Sequence, residues 1–418
     1  MKFVVIGISD NPQPFFPPEV LSIIGQGRVF SGGKRHHELV APLLPAGAEW
    51  IDITVPLDAV FERYTALGTH PSDGQNRVEP WPSSPIIVFA SGDPLFFGFA
   101  NTIRRKLPGA EIAVYPSFNS LQLLAHRLVM PYHDLRIVSL TGRPWPELDR
   151  ALIERSTKMG VLTDREHTPA AIARRLLDYG YDDYTMHVGE HLGNPALERV
   201  TTLSLGEAVR SDFAQPNCLI LHSPHPRQAL FGLPDAGFAL LDGREKMITK
   251  MPIRLLTLQA LDLPRRHVLW DVGFCTGSVS IEARLRFPHL HVTAFELRPE
   301  CEAIIHENAR RHGAPGIEVV MGDFCSVSCD AIAAQAAPDA VFIGGHGGHL
   351  KDIMAKVLRY LPADGIIVMN SVTSPKVHTD SHQLWNEACL ELGLVQEPPL
   401  RLQLNDYNPI EILKCKRK

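Results

Sequence analysis

The 418-residue chain contains no apolar run near the ~18–20 residues that a bilayer-spanning helix requires. It also lacks an excess of either charge: 41 Lys and Arg against 46 Asp and Glu leave a net −5. The first absence argues against a membrane protein. The second removes the basic footprint that binding a nucleic-acid backbone demands. The seven cysteines, an odd number, are scattered at Cys218, Cys275, Cys301, Cys325, Cys329, Cys389 and Cys415 with no CxxC pair. Cys325 and Cys329 have no second pair at zinc-binding spacing, so reduced thiols in a cytoplasmic protein are expected. The 19 histidines show neither HExxH nor another paired spacing, and no protein-bound metal is expected. No repeat of 20–50 residues is visible, which excludes a solenoid. The N-terminus, Met1 to Gly7, is one short apolar stretch that ends before Asp10, and it reads as a first strand, not a signal peptide.

What is present is the balance of a soluble globular protein: 45% hydrophobic and 21% charged residues, with a mean hydropathy of −0.02. Length alone suggests two or three domains, at about 150 residues each. Apolar runs alternate with helical patterns, which predicts α/β domains with parallel or mixed sheets. In the first half, strands are expected near Phe3–Ile8, Ile86–Ser91, Glu111–Tyr115, Arg136–Leu140, Lys158–Thr163, Tyr184–Gly189 and Cys218–His222. Helices are expected at Leu121–Leu128 and Pro169–Asp178. The two prolines of His222–Arg227, followed by Pro234 and Gly237, signal a linker over 223–239. A more regular series follows, with strands at His267–Val272, His291–Leu297, Ile317–Gly322, Ala340–Gly344 and Gly365–Asn370. Its helices are Gly277–Arg286, Pro299–His312, Leu350–Leu361 and Ser381–Leu392, and two late strand-like runs end at Ile410–Lys414.

The sharpest local signal is Asp271-Val-Gly273-Phe-Cys275-Thr-Gly277, a buried strand turning through glycines into a helix. Such a turn exposes amide hydrogens and bare Cα atoms to a ligand. A P-loop is excluded because Gly-Lys-Ser/Thr is absent. A dinucleotide fingerprint would need glycine at 275 and 278, where Cys275 and Ser278 stand. Glu296 ends the next strand, 23 residues beyond Gly273, where a carboxylate can accept hydrogen bonds from ribose hydroxyls. Taken singly, Glu296 reads either this way or as a solvated strand-end acid. Gly322-Asp323 ends the third strand.

This set resembles the class I S-adenosylmethionine (SAM) methyltransferases. Lys246-Met-Ile-Thr249-Lys250, Arg254 and the loop Gly344-Gly345-His346-Gly347-Gly348 are similar to the C15-methylating, decarboxylating precorrin methyltransferases, over about residues 240–418. The resemblance implies cofactor contacts from Thr249, Asp271, Gly273, Phe274, Cys275, Thr276 and Gly277. It implies further ones from Glu296, Asp323 and Phe324. Arg254, Gly344 and Gly345 are implied as substrate contacts. His346 reads either as a catalytic base or carboxylate contact, or as a loop histidine facing solvent.

The first half carries Ala90-Ser91-Gly92-Asp93-Pro94-Leu-Phe-Phe-Gly98. Asp93 can cap a helix and Pro94 suits its first position, so local structure alone accounts for the pair. The string is nevertheless similar to the SGDP-FFG loop of tetrapyrrole methylases. Ser31–His36, Pro116–Gln122, Val138–Arg143, Leu162–Ala170 and Gly189–Leu192 follow in that family's order, and the set resembles the C5-methylating precorrin enzyme over about residues 1–222. The resemblance implies cofactor contacts at Gly92, Asp93, Ser120, Thr168 and Pro169. Lys34, Arg35 and Arg143 are suited to substrate carboxylates or are solvated surface cations. The family's opening Gly-x-Gly-Pro-Gly is here Gly7-Ile-Ser9-Asp10-Asn11, a departure beside the tetrapyrrole trough.

Together the resemblances imply a tetrapyrrole methylase fold of two α/β subdomains (1–222), a linker (223–239) and a Rossmann-like SAM methyltransferase domain (240–418). They imply conversion of precorrin-6B and two SAM to precorrin-8X, with loss of the ring C acetate carboxyl as CO₂, in cobalamin biosynthesis. The same methylations on cobalt-precorrins, or a SAM-binding regulatory role, are the alternatives. A tetrapyrrole is the expected partner, with no nucleic acid and no membrane. Homo-oligomerisation is left open.

Overall fold

The computed structural model describes residues 1–68, 85–226, 230–244, 247–372, 381–405 and 408–417. Lys246 of the motif before Arg254 lies outside the described residues. The chain divides into two units. One comprises Met1–Arg143, Thr157–Ala173 and Tyr184–Pro224, the other Pro144–Ser156, Arg174–Asp183 and His225–Lys418. This division differs from the expected single cut after 222 by assigning 144–156 and 174–183 to the second unit.

The first unit holds two sheets. Strands β1 (Lys2–Ile8), β2 (Val29–Gly32), β3 (Glu49–Asp52), β4 (Ile86–Ser91) and β5 (Glu111–Tyr115) form a parallel sheet in the order β3-β2-β4-β1-β5. From Phe3 to Ile8 every residue of β1 is buried, as a central parallel strand covered on both faces requires. Phe3 and Val5 pack towards Val60, Tyr64 and Ile103, while Val4, Ile6 and Ile8 pack towards Val20, Ile24 and Phe30. The second sheet is mixed: β6 (Arg136–Ser139), β7 (Lys158–Leu162), β8 (Thr185–Glu190), β9 (Arg199–Ser204) and β10 (Asn217–His222), in the order β6-β7-β10-β8-β9. Strand β10 runs antiparallel to both its neighbours.

Strands β2, β3 and β9 are absent from the sequence expectations. The first two are four residues long, too short to show a period, and β9 is a half-exposed edge strand. The expected helix start at Pro94 is also corrected. Asp93 Oδ1 accepts the Leu95 amide at 2.8 Å in a local turn, and the helix begins only at Phe99, after Gly98.

The second unit contains β11 (Val268–Val272), β12 (His291–Glu296), β13 (Ile317–Met321), β14 (Ala340–Ile343), β15 (Ile366–Val372), β16 (Leu394–Gln396), β17 (Leu400–Leu402) and β18 (Ile410–Arg417). The order is β13-β12-β11-β14-β15-β18-β16, with β17 on β18. The first five strands are parallel and β18 is antiparallel to β15. Strand order reverses between β11 and β14, which opens a crevice at their carboxyl ends. Trp270 and Val272 on one face pack with Trp385 and Met354, and Leu269 on the other with Leu258 and Val279.

Candidate active sites

At that crevice the second unit has a cavity of about 910 Å³. Of the expected residues, Thr249, Gly273, Cys275, Glu296, Asp323, Phe324, Gly344, Gly345 and His346 line it. Gly273 sits at φ +81°, and a Cβ there would lie 2.7 Å from the Gly345 amide nitrogen. The loops after β11 and β14 therefore meet backbone to backbone, an approach only glycine allows.

Glu296 is 5% exposed, and its two oxygens organise the crevice. Oε2 accepts the Cys275 amide at 2.9 Å and Arg298 Nη2 at 2.8 Å. Oε1 accepts Arg298 Nε at 2.9 Å and the amides of Leu297 and Arg298. Burial opposes its ionisation, but the guanidinium and the amides outweigh that and hold the carboxyl below its ordinary value. Beside it Leu297 is 64% exposed, an apolar shelf at the strand end. Asp323 accepts the Cys325 amide (3.0 Å) and the Ser326 hydroxyl (2.9 Å). These bonds hold its carboxyl below the usual range.

Four expected cofactor residues lie behind this wall and do not line the cavity. Asp271 is fully buried, accepts the Ser280 hydroxyl at 2.6 Å, and is pushed up to about 7 by that burial. Phe274 and Thr276 are buried, Phe274 among Ile305, Ala294 and Leu241. Gly277 has φ +71°, and a Cβ there would meet Ile305 Cγ1 at 2.4 Å. It is required by a helix contact.

Arg254 is corrected from a substrate contact to an internal strut. Its side chain is 0% exposed. It donates to Asp235 Oδ1 (2.8 Å), the Thr249 carbonyl (2.6 Å), Glu282 Oε2 (3.3 Å) and the Leu233 carbonyl. Four of its five N–H donors are engaged, and the side chain offers no exposed surface to a ligand. His346 accepts the Gly348 amide on Nδ1 at 3.1 Å, and its Nε2 lies 3.3 Å from Ser381 Oγ. With burial lowering its pKa, the ring is neutral with the proton on Nε2, and its basic nitrogen is already occupied. Lys250 of the motif before Arg254 also lines the cavity, as do Arg298 and Asn370, which no local motif marks.

The first unit has a cavity of about 540 Å³ between the strand ends of its two sheets. Gly92, Ser120, Arg35 and Arg143 line it, and Arg143 lies over the Phe97 ring at 5.0 Å. Asp93, Thr168, Pro169 and Lys34 are outside its lining. Lys34 is exposed, and Thr168 Oγ1 accepts the Ala171 amide at 3.2 Å, capping the helix that Pro169 starts. Arg35 donates to Asp10 (2.8 Å) and to Ser91 Oγ (3.2 Å), so two arms of its fork are held by the protein.

A glycine loop and strand-end acid at the switch point of one sheet, and a second cavity at the strand ends of two α/β sheets, are the candidate sites of a methyltransferase. The comparisons agree. Residues 17–209 match the family described as tetrapyrrole (corrin/porphyrin) methylases, and residues 242–388 match the precorrin methyltransferase domain. A precorrin-6Y C(5,15)-methyltransferase [decarboxylating] from Sinorhizobium sp is 32% identical over 401 residues, covering 95% of this chain and 91% of that one. A cobalt-precorrin-6B C(15)-methyltransferase (decarboxylating) from Salmonella typhimurium is 32% identical over 185 residues, 43% of this chain and 93% of that one. The crystal structure titled precorrin-6y C5,15-methyltransferase from Geobacter metallireducens GS-15 is 31% identical, covers 45% of this chain and 98% of that chain, and has a TM-score of 0.39. The chain belongs to the precorrin-6Y C(5,15)-methyltransferase (decarboxylating) family.

Proposed function

We propose that the chain methylates precorrin-6B at C15 and C5 with SAM as donor and removes the ring C acetate carboxyl, giving precorrin-8X. The observation that carries the reading is the crevice between β11 and β14, where Glu296 and the Gly273–Gly345 contact form a seat for a nucleoside. Bound SAM supplies an electrophilic methyl group on a sulfonium. In the second unit five donors already fill the Glu296 carboxylate, so a ribose hydroxyl binds it by displacing the Arg298 guanidinium, and Leu297 offers a shelf for the adenine. The bare Gly344–Gly348 loop and the neutral His346 N–H face the same space. The loop itself carries no cation that would stabilise the carboxylate of an acetate arm held there and slow its loss. Alignment and exclusion of water are then the protein's main tasks.

Division of labour follows: C15 methylation and decarboxylation in the second unit, C5 methylation in the cavity of the first. The relative that performs C15 methylation and decarboxylation by name, and that matches 43% of this chain, supports it. The test is mass spectrometry of products from the full chain supplied with SAM and precorrin-6B, metal-free or cobalt-loaded. Two methyl groups gained and one CO₂ lost from the metal-free substrate are expected. Turnover of the cobalt-loaded substrate alone would reassign the substrate. Glu296→Ala should lose C15 methylation and CO₂ release together. Loss of only one would separate the two steps.

A further inference from the structure

Each methyl transfer adds CH₃⁺ to the macrocycle, yet the product gains only CH₂. At C5, where no carboxylate departs as CO₂ to offset that charge, one proton must therefore leave the substrate. Among the described residues lining the first unit's cavity, a carboxylate and an imidazole offer an acceptor for it, Asp10 and His36.

His36 is already engaged. Its Nε2 lies 2.9 Å from Ser91 Oγ, which also accepts from Arg35 Nη2 at 3.2 Å. Burial, with Arg35 adding to it, holds the His36 pKa at about 4. Asp10 is differently placed. Its side chain is 13% exposed at the cavity wall, with Oδ1 on Arg35 Nη1 at 2.8 Å and Oδ2 3.5 Å from His191 Nδ1. A carboxylate has about four acceptor positions, so these two neighbours leave it capacity. A negative group in a cavity for a many-carboxylate substrate is repulsive unless it has a task. His191 is 20% exposed and opens a route from Asp10 towards solvent.

We propose that Asp10 is the proton acceptor of the first unit's methylation site, an inference that rests on reading that cavity as the C5 site. A carbon–carbon π pair of the macrocycle forms the new bond to the methyl group. The S–CH₃ bond breaks with its pair left on sulfur. The proton released from the methylated carbon, or from the ring nitrogen conjugated with it, goes to the Asp10 carboxylate and on through His191 to water. Arg35 is a positioning residue that holds Asp10 at the wall.

The full chain carries its own control, because C15 methylation and CO₂ release report folding and turnover elsewhere. Asp10→Asn should lower kcat for C5 methylation by about 100-fold or more, with KM for the tetrapyrrole changed less than about threefold. A decarboxylated product with one added methyl should accumulate. Asp10→Glu should restore part of the rate. Arg35→Gln, which keeps the carboxylate, should raise KM more than it lowers kcat. C5 methylation by Asp10→Asn within about threefold of the parent rate would overturn the inference. So would identical kcat losses in Asp10→Asn and Arg35→Gln, because Asp10 would then act only through Arg35. Loss of C15 methylation in Asp10→Asn with C5 methylation intact would instead overturn the site assignment beneath it.

Discussion

The Cys275 amide and Arg298 Nη2 share one oxygen, Oε2 of Glu296, at 2.9 and 2.8 Å. The glycine turn after β11 and the acid that ends β12 are thus tied to each other directly. A nucleoside entering the crevice meets a carboxylate already ionised and aimed by three backbone amides.

Removing that carboxylate should therefore weaken SAM binding. Glu296→Ala is expected to cost about 1–3 kcal/mol, or roughly 5- to 150-fold in affinity. Titration calorimetry on the full chain measures it. Unchanged affinity at the second unit's site would reject Glu296 as the ribose acceptor.

Gly277 makes the opposite kind of prediction. Its left-handed φ and the 2.4 Å approach to Ile305 mean that Gly277→Ala strains the fold without touching the cavity. Stability should fall by about 1–3 kcal/mol in denaturant unfolding, while the folded fraction keeps its SAM affinity. A selective loss of SAM affinity at full stability would put Gly277 back at the ligand.

Arg254→Leu should behave as the loss of a buried ion partner. Among the described residues, Glu282, 2% exposed, would keep only the Leu233 amide at 2.9 Å. A loss of about 3–5 kcal/mol is expected by thermal or chemical unfolding. A raised tetrapyrrole KM at unchanged stability would be the signature of a substrate contact instead.

Asp271 sets a pH dependence. Its folded pKa, about 7, lies above the ordinary 3.8, so the folded state holds this proton more tightly than the unfolded chain. The stability it contributes is fully present below about pH 4 and is lost as pH rises through about 7. Asp271→Asn cannot ionise and should lose less stability between about pH 5 and 8 than the parent chain. Parallel stability curves for the two proteins would show that Asp271 does not titrate in this range.

The sequence is most legible where signals are local. The five parallel strands β11–β15 are buried apolar runs, and the turn after β11 is spelled by its own glycines, so both fold and crevice can be read. Arg254 was misread because its partners, Asp235 and Glu282, stand 19 and 28 residues away and only the folded chain brings them together. Arg298 was missed because a lone arginine after a strand has no pattern. Asp10 was visible only as a departure from a family motif, and its meaning depends on Arg35 and His191, distant in the chain.

The seam between Gly273 and Gly345 is one-sided. A side chain at 273 would strike the opposing backbone, whereas a Cβ at 345 meets no atom within 4 Å. One lip of the crevice is therefore immutable and the other can be rewritten. A side chain added at position 345 would take up crevice space and narrow it, with the facing loop at 273 left untouched. Gly345→Ala, then Gly345→Ser, would be the first steps in that narrowing.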